Sequence, residues 1–123
     1  MKRKELLEID SVDKAIVSWD VKEAFVKVAK TTDIPIGAMK HVEVEGTEIL
    51  IANVKGKFYA VCDRCPHLNA MLSMGTLVDS IVTCPRHFSS FDVTTGKLSA
   101  GPNNLYLPVY TLKVEGSDLL VGI

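Results

Sequence analysis

From Phe25 onward the apolar positions come in short runs separated by turn residues. "FVKVA" (Phe25 to Ala29), "HVEVE" (His41 to Glu45), "EILIANV" (Glu48 to Val54) and "KFYAV" (Lys57 to Val61) are rich in β-branched residues and partly alternate with polar ones. That is the pattern of half-buried strands. Gly46 and the "KGK" at 55–57 supply turns between them. "IVT" (Ile81 to Thr83) and "SSFDV" (Ser89 to Val93) follow, then a turn at "TTGK", and the closing "YLPVYTLKVEGSDLLVGI" reads as two strands about Gly116 and Ser117. Evenly punctuated short strands predict an all-β fold, an antiparallel sandwich or barrel built mostly from local hairpins. Residues 1–24 differ. Leu6, Ile9, Val12, Ile16 and Trp19 recur every three or four positions with Ser11 available as a cap, which predicts a short helical extension. Its apolar face is expected to cover an edge of the sandwich, with partner docking as the alternative.

Composition narrows the range of functions. A chain of 123 residues with 47% hydrophobic content fits one domain around one core. Its 14 basic and 15 acidic residues are interspersed, for a formal charge of -1, so the footprint of a nucleic-acid binder is missing. No apolar run approaches the roughly 20 residues of a membrane span. The start "MKRKELLEID" acquires acidic residues before a signal-peptide core can form. The expectation is a cytoplasmic protein without a membrane span. Three cysteines, clustered between Cys62 and Cys84, are an odd set in a chain read as having no export signal. That argues against a disulfide framework and for metal or thiol chemistry.

"CDRCPHLNAMLSMGTLVDSIVTCPRH", residues 62–87, can be wired in two ways. Cys62 and Cys65 as C-x2-C, joined by Cys84 and His87, make a Cys3His set suited to tetrahedral zinc. Cys65 and His67 as C-x-H, with Cys84 and His87 as C-x2-H, make two cysteines and two histidines, a set that divides between the irons of a [2Fe-2S] cluster. In the second wiring Cys62 is spare.

"CPHLNAMLSMG" (65–75), "CPRHFSSFDVTTG" (84–96) and "SAGPNNLYLPVYTLKVEGSDLLV" together resemble the two cluster loops, third loop and closing strands of the Rieske-type ferredoxin family. The resemblance implies a Rieske-type domain over 25–123 with a small cluster-binding subdomain, whose loops fall at about 62–75, 84–92 and 100–103. It also implies one [2Fe-2S] cluster, with Cys65 and Cys84 on one iron and His67 and His87 on the other near an exposed tip. Neutral imidazoles in place of two thiolates favour the added electron, and Rieske potentials lie at roughly -150 to +300 mV.

High-potential relatives carry an extra cysteine in each loop, joined as a disulfide. Arg86 stands at the second of those positions, and Cys62 has no partner and is expected to be a buried, inert thiol. Among residues around the cluster, Ser89 matches a serine whose hydroxyl points at the cluster sulfurs. Phe91 replaces a tyrosine that would add a second hydroxyl, so a potential in the lower half of the range is expected. Pro102 matches the shielding third loop. Phe88 replaces the usual glycine after the second histidine, and a positive φ there would strain a phenylalanine. Pro66 and Pro85 stiffen the loops. His41 is expected far from either motif, and Trp19, Met71 and Met74 are expected to be packing residues.

No nucleotide fingerprint, nucleophile triad or mononuclear-iron triad accompanies these motifs. The leading expectation is a non-enzymatic one-electron carrier between a reductase and a terminal enzyme such as an oxygenase, with its redox partners docking at the histidine tip. The alternatives are a reductase small subunit, similar to that of nitrite reductase, and a zinc-stapled β binding domain.

Overall fold

The computed structural model describes residues 24–66, 69–86, 88–101 and 105–122. The predicted helix within 1–24, and with it Trp19, lies outside the described residues except for residue 24.

Among the described residues ten strands form two antiparallel sheets. The larger comprises β1 (Phe25–Lys30), β2 (Met39–Val44), β3 (Thr47–Val54), β4 (Lys57–Cys62), β9 (Val109–Glu115) and β10 (Asp118–Gly122), in the order β1-β10-β9-β4-β3-β2. The smaller comprises β5 (Thr76–Val78), β6 (Ile81–Thr83), β7 (Ser90–Asp92) and β8 (Leu98–Ala100), paired in chain order. Hairpins account for β2-β3-β4 and β9-β10, as the sequence pattern predicts. Two pairings are long-range: β4 meets β9 at Ala60–Tyr110 and Val61–Val109, and β1 closes on β10.

β3 explains how two cores coexist in a small chain. Side chains alternate across a strand, and both faces of β3 are buried. Ile49 and Ile51 enter one cluster with Ile34, Leu119 and Val121, the sandwich core. Leu50 and Ala52 enter the other with Leu72, Val82, Phe91 and the two cysteines Cys65 and Cys84. The small sheet and the cysteine loops are thus packed on the outer face of the sandwich. Gly75 permits their close approach, since a Cβ there would overlap the Thr83 carbonyl. β5 and β8 were not expected from the sequence. Each is three residues long, too short to show alternation, and pairing with β6 and β7 makes them strands.

Candidate metal centre

The two cysteine loops are built alike. In the first, Cys65 N–H donates to the Ala70 carbonyl (2.8 Å) and Asn69 N–H donates to the Cys65 carbonyl (2.6 Å). In the second, Cys84 N–H donates to the Ser89 carbonyl (2.8 Å) and Phe88 N–H donates to the Cys84 carbonyl (3.2 Å). Both turns need a left-handed residue four positions after the cysteine, and both have one: Asn69 at φ 59° and Phe88 at φ 63°. Asparagine tolerates that region. Phenylalanine has no such compensation, and the conformation costs about 1–2 kcal/mol, so the strain raised by the missing glycine is present. Phe88 is 71% exposed.

Cys65 and Cys84 are buried and unpaired, and belong to one apolar cluster. His67 and His87 lie outside the described residues, as does Pro102. Cys62 takes a different position. It ends β4, is half-buried and donates its backbone N–H to Pro108. Its thiol lies against Tyr110, whose phenol is pushed up first by burial and then by the Cys62 sulfur. Among the described residues no three His, Cys, Asp or Glu side chains are placed to hold one metal ion, and all three cysteines are described. The three thiols of a Cys3His set thus do not come together among the described residues.

Ser89 is buried and its Oγ has no hydrogen-bond partner among the described residues. A buried hydroxyl without a partner costs about 1–3 kcal/mol, so one left orphaned calls for an acceptor the protein does not supply. Gly101 lies against it: a Cβ there would sit 2.8 Å from that oxygen. Two buried free thiols and an orphaned donor fit an iron-sulfur cluster, whose sulfurs accept hydrogen bonds. Phe91 is fully buried in β7.

Charged groups that sequence reasoning missed lock the first loop to the sandwich. Asp63 is fully buried. Its Oδ1 accepts from Ser73 N–H (2.7 Å), and its Oδ2 accepts from Ser73 Oγ (2.6 Å) and His41 Nδ1 (2.6 Å). A carboxylate only accepts, so Nδ1 carries the proton. His41 is therefore close to the first motif rather than far from it, because β2 runs beside β3 and faces the loop leaving β4. Arg64 makes a bidentate pair with Glu48 (3.1 and 2.8 Å) and donates from Nη1 to the carbonyl of Asn69 (3.1 Å). The only available signal was the run of charges in "CDRC", which in sequence has no visible partners. Met74 also departs from expectation. It is 72% exposed, because Gly75 turns the chain into β5 and leaves the preceding side chain outside.

The Arg64 hydrogen bonds hold the Glu48 carboxyl below its ordinary range against an opposing effect of burial. A depressed carboxylate contributes stability above its unfolded pKa and loses it as pH falls through the folded value. The difference in melting temperature between wild type and Arg64→Gln is thus expected to be constant above about pH 5 and to shrink below about pH 4. A difference that grows on acidification would refute this.

The family model for the Rieske [2Fe-2S] domain matches residues 24–111. The chain belongs to that family. Among Rieske relatives, the ferredoxin component of biphenyl 2,3-dioxygenase from Rhodococcus jostii is 38% identical over 100 residues, covering 81% of this chain and 94% of that protein. The solved ferredoxin of carbazole 1,9a-dioxygenase from Nocardioides aromaticivorans IC177 superimposes with a TM-score of 0.75 at 32% identity, over 79% of this chain and 95% of that one. A chain in the complex of reduced oxygenase and oxidized ferredoxin of carbazole 1,9a-dioxygenase gives 0.77 at 30% identity, over 82% and 94%. The Rieske cofactor is one [2Fe-2S] cluster, and no described helix is long and apolar enough to cross a membrane.

Proposed function

We propose that this Rieske protein is a one-electron carrier, not itself an enzyme, that passes electrons from a reductase to a terminal oxygenase in the cytoplasm. The supporting observation is the pair of matched loops presenting two buried, unpaired thiols. On this reading Cys65 and Cys84 hold one iron of the cluster and His67 and His87 the other, within a domain spanning 25–123 that follows an extension of 1–24. The cluster supplies reversible one-electron chemistry at a potential raised by its neutral ligands.

The chain's own residues do the rest. Burial of both thiols excludes water from the sulfur side, and the hydrogen bonds to Asp63 and the Arg64–Glu48 ion pair hold the first loop in place. Pro66 and Pro85 stiffen the backbone beside each cysteine, so the site reorganises little. Ser89 Oγ offers its proton to a sulfur of the site. Pro66, Pro85, Arg86 and Phe88 are exposed, and the tip they form is where redox partners dock.

The deciding experiment is iron and acid-labile sulfide content with a visible spectrum. About two irons and two sulfides per chain are expected, and a colourless zinc-loaded protein would refute the reading. In the same preparation Ser89→Ala should retain its iron and show a lower potential, since a hydrogen bond to sulfur stabilises the more negative reduced state. A potential that stays put or rises would show that the hydroxyl is not directed at the cluster.

A further inference from the structure

His41, on β2, stands between the two sets of polar contacts that grip the first loop. Its Nδ1 donates to the buried Asp63 carboxylate at 2.6 Å, and its Nε2 lies 3.9 Å from Oε1 of Glu48 on β3. Beyond Asp63 the contacts run to Ser73 N–H and Oγ, and the Asp63 carbonyl accepts from Leu72 N–H (3.2 Å). Beyond Glu48 they run to Arg64 Nη2 (2.8 Å), and Arg64 Nη1 reaches the Asn69 carbonyl (3.1 Å) in the Cys65 turn. Cys65 is enclosed by both arms, since Asp63 and Arg64 precede it while Asn69, Leu72 and Ser73 follow it. His41 touches each arm at its root in the sandwich.

The charges in these arms do not balance. Asp63 and Glu48 are two carboxylates, and the one guanidinium, Arg64, is taken up by Glu48. The uncompensated negative charge is therefore that of Asp63, which is fully buried and two residues from Cys65. A buried charge is screened little by salt or solvent. An electron added to a cluster held by Cys65 is a second negative charge nearby, and the carboxylate opposes it. What offsets this opposition is the set of donors laid on the carboxylate oxygens. Two belong to Ser73, inside the loop itself, and the third, His41 Nδ1–H, comes from the sandwich.

We propose that His41 is a positioning residue for electron transfer: it fixes the Asp63 carboxylate, offsets its charge, and so raises the affinity of the neighbouring cluster for its electron. This rests on the iron-sulfur reading of Cys65 and Cys84 in the function proposed above.

The test is a redox titration of cluster-loaded wild type and variants at fixed pH and ionic strength, with iron and sulfide content measured on each sample. His41→Leu fills a similar space without a donor. It should keep its iron, and its equilibrium constant for electron uptake should fall about threefold, the scale of coupling between neighbouring groups. His41→Asn places an amide N–H near the position of Nδ1 and should restore most of the wild-type value. His41→Gln carries its amide near the position of Nε2, facing Glu48, and should behave as His41→Leu does. In an Asp63→Asn background, His41→Leu should leave the potential unchanged, because the charge that His41 offsets is gone.

A wild-type potential in His41→Leu with its iron intact would overturn the proposal, whatever the melting temperature. An equal shift in the Asp63→Asn background would also overturn it, since His41 would then act by another route. If His41→Leu takes up no cluster, the other two variants decide: a lower potential in His41→Gln than in His41→Asn supports the proposal, and equal potentials overturn it. Wild type lacking iron and sulfide would refute the carrier reading, a result separate from all of these.

Discussion

His67→Ala is expected to yield a protein without its normal cluster, with iron and sulfide content near zero, whereas Cys62→Ser keeps the full content. The two wirings of residues 62–87 make opposite predictions here, since the zinc wiring uses Cys62 and ignores His67. The structure puts Cys62 at the end of β4 against Tyr110, while Cys65 and Cys84 share one buried cluster. Replacing a half-buried thiol by a hydroxyl of similar size removes little packing, so Cys62→Ser should change stability by less than about 1 kcal/mol. Removing an imidazole ligand takes away one of two nitrogen donors on its iron, which no second-sphere adjustment restores. Iron and sulfide assays on both variants, with circular dichroism to confirm folding, make the measurement. Retention in His67→Ala together with loss in Cys62→Ser would refute the ligand assignment.

Asp63→Ala should cost about 3–4 kcal/mol, the largest stability effect expected of any single side chain outside the hydrophobic cores. The carboxylate is fully buried and receives three hydrogen bonds, from Ser73 N–H, Ser73 Oγ and His41 Nδ1. Truncation leaves those donors without an acceptor in a place that water reaches poorly. Asp63→Asn keeps an oxygen that can accept from Ser73 but loses the charge facing His41, so about half the cost is expected. Denaturant unfolding of the three proteins gives the comparison. A loss below about 1 kcal/mol in Asp63→Ala would mean that the network contributes little to stability. The loop it anchors leads straight into Cys65, so cluster retention during thermal unfolding should fall in the same order.

The sequence reading and the structure agree where interactions are local. β3 and β4 follow from β-branched runs and a two-residue turn, and the C-terminal hairpin from the turn at Gly116, because period and turn chemistry act over a few residues. The sequence offered two wirings of the cysteines, and the structure places Cys65 and Cys84 in one buried cluster while Cys62 ends β4. What lay beyond the sequence depends on contacts between distant segments. β5 and β8 exist because β6 and β7 offer free edges to three-residue strands. His41 reaches Asp63 only because β2 lies beside β3 and β3 beside β4.

By itself, then, the sequence determined an all-β chain, its main hairpins and a pair of matched cysteine-histidine motifs, through patterns carried by neighbouring residues. Only the tertiary structure decided that β3 separates two cores and that Ser89 is buried with its hydroxyl unpaired among the described residues. It also decided that Phe88 accepts a left-handed backbone while standing in solvent opposite Met74. Burial, orphaned donors and strain arise when segments far apart in the chain are packed against one another, and no local pattern records them.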